Sequence, residues 1–131
     1  KLIKQKHIMR TYAKGYAAER ELVHILYSKG WSVIRAPRSG RIGIPSPDIV
    51  AAKAGRLMVI ECKSRAEAFK VEPDQLEQLK DWKTRAHATP YIGWKIARKG
   101  WVFLRFEDVV ANNGNIGKRF LDGRAVGIDE L

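Results

Sequence analysis

The stretch PSPDIVAAKAGRLMVIECKS, residues 45–64, decides the fold. Asp48-Ile-Val-Ala-Ala52 reads as one strand, Lys53-Ala-Gly-Arg56 as a turn and Leu57-Met-Val-Ile-Glu-Cys-Lys63 as a second strand. Apolar, partly β-branched residues on both sides of a Gly-containing turn are a hairpin signal. Side chains alternate along a strand, so Glu61 and Lys63 share a face with Leu57 and Val59, and Cys62 takes the other face as a small buried apolar residue. With a loop of two residues (Ala54, Gly55) or four (Lys53 to Arg56), opposed positions sum to 109 and Asp48 faces Glu61. Their Cβ atoms would then lie about 4.5–5.5 Å apart. Two carboxylates that close repel unless a cation or a proton lies between them, and a hard divalent ion with oxygen ligands suits the place. A loop of odd length would put Asp48 and Glu61 on opposite faces and leave an ordinary hairpin.

The surrounding composition narrows what such a site would act on. The chain has 131 residues, 45% of them hydrophobic and 30% charged, which fits one soluble domain with a single core. With 25 Lys and Arg against 14 Asp and Glu, the formal charge is +11. That excess points to a polyanion, foremost nucleic acid. No apolar run approaches a membrane span, KLIKQKHIMR lacks the apolar segment of a signal peptide, and the one cysteine suits a reducing interior. The expectation is a cytoplasmic, DNA-associated protein with no membrane and no small-molecule substrate.

In chain order, residues 1–14 read as a loosely ordered basic arm bearing Lys14 among its cations, with a merely solvated terminus as the alternative. Gly15 to Ser28 reads as a helix with Ala18, Leu22, Ile25 and Leu26 on one stripe, stopped at Gly30. Glu19 falls at the edge of that stripe, where a partly desolvated carboxylate wants a partner. Arg20 is one explanation, the hairpin's metal a second, and a solvated helix margin a third. Trp31–Arg35 is a short strand. The Gly-, Pro- and Arg-rich loop after it hangs Arg38, Ser39 and Arg41 over the carboxylates, as a phosphodiester substrate would need.

Pro73 opens a second helix running to about His87, with Glu72 and Asp74 suited to its start. Gln75 lies near that start; a surface place is the default reading and the site the alternative. Trp82 reads as core. Tyr91–Ala97 and Trp101–Phe106 form a second hairpin in which Lys95 shares a face with Tyr91 and Gly93. His7, His24 and His87 have no ligand spacing, no Gly-rich phosphate loop or Cys/His zinc pattern occurs, and the chain from Ala111 shows no clear periodicity.

This order resembles the PD-(D/E)xK nuclease superfamily, and within it the archaeal-type Holliday junction resolvases (Hjc family). The likeness rests on Ala18-Glu19-Arg20-Glu21, Arg35-Ala-Pro-Arg-Ser39-Gly40, Pro47-Asp48-Ile49, Ile60-Glu61-Cys62-Lys63-Ser64-Arg65, Gln75 and Lys95. It covers Gly15 to about Phe106, taken as a nuclease core of residues 15–106, with 107–131 a further segment of the same domain that adds nothing to the match. The resemblance implies an α/β, restriction-endonuclease-like fold: a mixed central sheet of about five strands flanked by helices.

It also implies a homodimer that places paired symmetric nicks across a four-way junction, leaving 5′-phosphate and 3′-hydroxyl ends. Mg²⁺ is the implied cofactor, with Mn²⁺ as substitute, held by Glu19, Asp48, Glu61 and the backbone carbonyl of Cys62. Lys63 would position the attacking water. Ser39, Arg20 and Arg35 match positions near the scissile phosphate, and Lys95 matches a further basic one. If a virus encodes the chain, the implied place is the host cytoplasm. Two other readings stand beside this one: another nuclease of the same fold acting on duplexes or flaps, and a non-catalytic basic DNA-binding protein.

Overall fold

The computed structural model describes residues 2–36 and 43–131, with side chains described from Gly15 onward. In chain order the elements are α1 (Leu2–Ser28), β1 (Ser32–Arg35), β2 (Ile49–Lys53), β3 (Arg56–Arg65), β4 (Phe69–Lys70), α2 (Pro73–Ala86), β5 (Thr89–Ile96), β6 (Gly100–Arg105), α3 (Phe106–Ala111) and β7 (Asn115–Ile116), followed by 3₁₀ turns at Arg119–Leu121 and Ile128–Glu130. The helix expected from Gly15 therefore begins at Leu2, within the stretch read as a loose arm. Its polar first half lacks an apolar stripe, so periodicity gave no sign of it.

The hairpin closes through two residues, Ala54 (φ 49°) and Gly55 (φ 80°), both left-handed. Positive φ at both central positions is the turn whose twist matches that of the flanking strands. Ile49 pairs with Ile60, Val50 with Val59 and Lys53 with Arg56, so the register sum is the expected 109. The five-stranded sheet runs β1-β2-β3-β5-β6, antiparallel except for the parallel pair β3·β5, and β4 pairs with β7 in a small second sheet. A parallel pair needs a long crossover, here supplied by α2.

Helices on both faces bury the middle of the sheet. On one face Leu22 and Leu26 of α1 pack with Ile49, Met58, Ile60, Tyr91 and Phe103. On the other, Leu79 of α2 and Val109 of α3 pack with Val59, Ile92, Trp94 and Leu104. Strands covered on both faces read as continuous apolar runs, which is the character of Met58–Ile60 and Tyr91–Trp94. Each such side chain contributes about 1.5–3 kcal/mol on burial. The same surroundings make the next residue on β3, Glu61, costly to ionise.

The C-terminal stretch without periodicity is nonetheless part of the domain. Val126 bridges to Phe103 at the edge of β6, and Val126 and Leu131 are buried on the α1 face. β4 and β7, two residues each, are too short to carry a pattern. No helix among the described residues is long and apolar enough to cross a membrane.

Candidate active site

Asp48 immediately precedes β2, and its carbonyl accepts the Ala36 N–H at 2.9 Å, which holds β1 and β2 together at this end. Extending the ladder by one residue sets Asp48 across from Glu61. The Cys62 N–H donates to Asp48 Oδ2 at 2.8 Å, fixing the carboxylate against β3. Glu61 is 6% exposed, the one charged residue buried among those described. Two groups reach it on the α2 face: Gln75 Nε2 donates to Glu61 Oε2 at 3.2 Å, and Lys63 Nζ lies 3.8 Å from the same oxygen.

Gln75 comes from the first turn of α2. Its amide oxygen accepts the Glu72 N–H at 3.3 Å, so the amide group spans the helix start and the site. That resolves Gln75 away from the surface position taken as its default. A Glu-x-x-Gln sequence at a Pro-opened helix is a capping pattern and could have flagged the residue. Trp82, further along α2, donates from Nε1 to the Pro45 carbonyl at 3.1 Å and so secures the approach to Asp48.

Glu19 reaches in from α1, at the margin of the apolar stripe as expected. Its partner is neither Arg20 nor a vacant solvent face: Arg35 Nε donates to Glu19 Oε1 at 2.9 Å. The Arg35 guanidinium lies 4.3 Å from the centre of the Tyr16 ring, a second contact that no periodicity announces. Glu19, Cys62, Lys63, Ser64, Arg65 and Trp101 line a cleft of about 580 Å³. A larger hollow of about 760 Å³ between α2 and α3 holds none of these carboxylates.

The electrostatics are those of anions short of cations. Burial, then the Asp48 charge, pushes the Glu61 carboxyl up to about 8; Lys63 opposes the rise, while a side-chain hydrogen bond with Asp48 adds to it. Glu19 is pushed up to about 7, again by burial first and Asp48 second, against the opposing Arg35. Burial also holds the Cys62 thiol well above its ordinary range. Without a cation, Asp48 and Glu61 are best accommodated by a proton between them. A hard divalent ion would replace that proton with oxygen ligands, so the donor pair fits such an ion. Among the described residues no three His, Cys, Asp or Glu side chains already converge as a complete cluster, since Glu19 is turned to Arg35.

Arg38, Ser39 and Arg41 lie outside the described residues, and Lys14 lies on α1 with its side chain outside them. Arg20 is exposed on α1. Lys95 Nζ is paired with Glu21 Oε1 at 2.6 Å.

A mixed five-stranded sheet between helices, with Asp48 and Glu61-x-Lys63 meeting at one end of a hairpin, is the restriction-endonuclease-like α/β fold of the PD-(D/E)xK superfamily. The sequence matches the family described as archaeal Holliday junction resolvase (Hjc) over residues 10–130. The chain belongs to that family, and the match takes in the C-terminal stretch that the motifs alone had left out.

Among curated relatives, the crossover junction endodeoxyribonuclease Hjc of Sulfolobus acidocaldarius is 38% identical over 104 residues, 77% of this chain and 72% of that protein. The crossover junction endodeoxyribonuclease Hje of Saccharolobus solfataricus is 45% identical over 69 residues, 52% of this chain and 51% of that one. The crystal structure of Archaeoglobus fulgidus Hjc, a Holliday junction resolvase, superposes with a TM-score of 0.80 at 28% identity, covering 88% of this chain and 98% of that one.

Proposed function

We propose that this chain is a metal-dependent endonuclease that resolves four-way DNA junctions. The observation that carries the reading is the convergence of Asp48, Glu61 and Lys63 at one end of the hairpin, in a chain with a formal charge of +11. The family membership and the names of the relatives support the junction as substrate.

Asp48 and Glu61 would hold Mg²⁺, or Mn²⁺ in its place, with Glu19 and the Cys62 carbonyl completing the oxygen set. Bound there, such an ion supplies charge stabilisation at a phosphoryl oxygen and lowers the pKa of water. Lys63, 3.8 Å from Glu61, orients the attacking water and offsets charge building on the phosphate. Gln75 fixes Glu61, and Arg35 aims Glu19 and opposes the rise of its carboxyl. The products are a 5′-phosphate and a 3′-hydroxyl.

Arg20, Arg38, Arg41, Lys14 and Lys95, with Ser39 near the scissile phosphate, follow the DNA backbone, so recognition is of shape rather than base sequence. A two-fold homodimer suits a substrate of approximate two-fold symmetry and would place one nick per subunit. Such an enzyme works on DNA in the cytoplasm of the cell, or of the host of a virus.

The test is a labelled four-way junction beside a matched linear duplex, with and without Mg²⁺, using the wild-type chain and Asp48→Asn. The reading expects paired nicks in the junction alone, only with metal and only with Asp48. Equal cutting of the duplex would make it another nuclease of this fold. Binding without any metal-dependent product would make it a DNA-binding protein.

A further inference from the structure

We propose that Glu21 is a displaceable stand-in for a DNA phosphate. In the free protein its carboxylate fills a seat with two donors, Lys95 and Trp101, and a phosphodiester of the bound junction takes that seat. The inference rests on the junction-cutting reading and adds a second phosphate subsite, with its own competitor, beside the cleft.

Three observations carry it. Glu21 Oε1 accepts from Lys95 Nζ at 2.6 Å and from Trp101 Nε1 at 3.2 Å. One oxygen anion receiving an ammonium and an indole N–H is what a phosphate oxygen would receive in the same place. Lys95 and Trp101 are opposed neighbours on β5 and β6, so the donors are set by the ladder and not by Glu21, which comes from α1.

The second observation is exposure. The Glu21 side chain is 47% exposed and that of Lys95 26%. An ion pair this open to water adds little to stability, so exchanging its carboxylate for a phosphate loses little.

The third is place. A hollow of about 310 Å³ beside the pair is lined by Ala17, Ala18, Ser64, Lys95 and Arg98, and it shares Ala18 and Ser64 with the active-site cleft. Ser64 is the register partner of Lys95. Three residues along β3 and one strand across put the Cα of Lys95 about 11 Å from that of Glu61, using ~3.3 Å per residue and ~4.8 Å between strands. That is the scale of a phosphate two or three nucleotides along the same DNA strand. Small residues at Ala17 and Ala18 leave room for the backbone, and Arg98 adds charge at the rim.

The experiment measures junction affinity in EDTA, so that nothing is cut, across a series of salt concentrations. Glu21→Gln keeps the shape of the side chain and removes its charge. The expected result is tightening of about fivefold and a salt slope steeper by up to about 0.9, because no freed carboxylate then draws in a cation to offset the one the phosphate releases. In a Lys95→Gln background the same change should tighten nothing, because the site it frees is gone. Melting temperatures of all variants are recorded alongside. Unchanged or weaker binding by Glu21→Gln, or tightening that persists without Lys95, overturns the proposal; a lowered melting temperature with an unchanged slope would identify Glu21 as a brace for α1. A wild-type chain that binds no junction would instead overturn the functional reading itself.

Discussion

Gln75 donates its side-chain amide to Glu61 across 3.2 Å, joining the first turn of α2 to the most buried charged group described. Because the same side chain accepts from the Glu72 N–H, its orientation is set by the helix it begins. Gln75→Ala should therefore lower cleavage by about 10–100-fold, the usual loss when a group orienting a metal ligand is removed. Junction binding in EDTA should change little. The loss of the helix-start contact should show separately as about 1 kcal/mol in urea denaturation.

Glu61→Gln should abolish cleavage and yet stabilise the metal-free protein in alkaline solution. The folded-state carboxyl is raised from 4.5 to about 8, so the folded chain holds a proton that the unfolded chain has released. That contribution is complete below pH 4.5 and is lost as pH rises through about 8. Gln resembles the protonated acid and escapes the loss. Melting scans in EDTA should put the variant above wild type by about 5 °C at pH 9 and close to it at pH 4. A variant less stable than wild type at pH 9 would contradict the account of burial.

Arg35 opposes the rise of the Glu19 carboxyl, which stands at about 7 with the arginine in place. Arg35→Ala removes the opposing charge, and the rising limb of the pH–rate profile should move to higher pH. Arg35→Lys, which keeps the charge and loses the planar contact with Tyr16, should move it less. An unmoved limb in Arg35→Ala would separate Glu19 from the rate.

Gly93 sits beside Cys62 in the parallel ladder, where an added Cβ would meet Ile60 and Phe103 at 3.1 Å and Trp101 at 3.3 Å. Ile60 and Phe103 are fully buried and have little room to give. Gly93→Ala should cost about 1–3 kcal/mol of stability by overpacking, read as a lower urea midpoint at unchanged slope.

How much of this the sequence disclosed differed from one element to the next, for physical reasons. The hairpin register followed from period-two alternation and a short turn, and the ladder bears it out at Ile49 and Ile60. Glu19 was legible as a half-desolvated helix position because the Leu22 and Leu26 stripe fixed its angle. Its partner was not: Arg35 is sixteen residues away, and only the packing of β1 against α1 brings them together. The start of α1 and the two-residue strands β4 and β7 went unseen because no amphipathic period marks them. The C-terminal stretch docks through isolated residues, Val126 and Leu131 among them, and isolated residues have no period to detect.

Cys62 turns its thiol into the apolar layer under α1, and burial keeps that thiol protonated far beyond neutrality. A thiol held in this state is a poor nucleophile. The native chain can then serve unaltered as the background for site-selective labelling: a cysteine placed at an exposed position such as Glu77 would alone take up a maleimide dye, and fluorescence transfer to a labelled junction arm could follow binding and release as they happen.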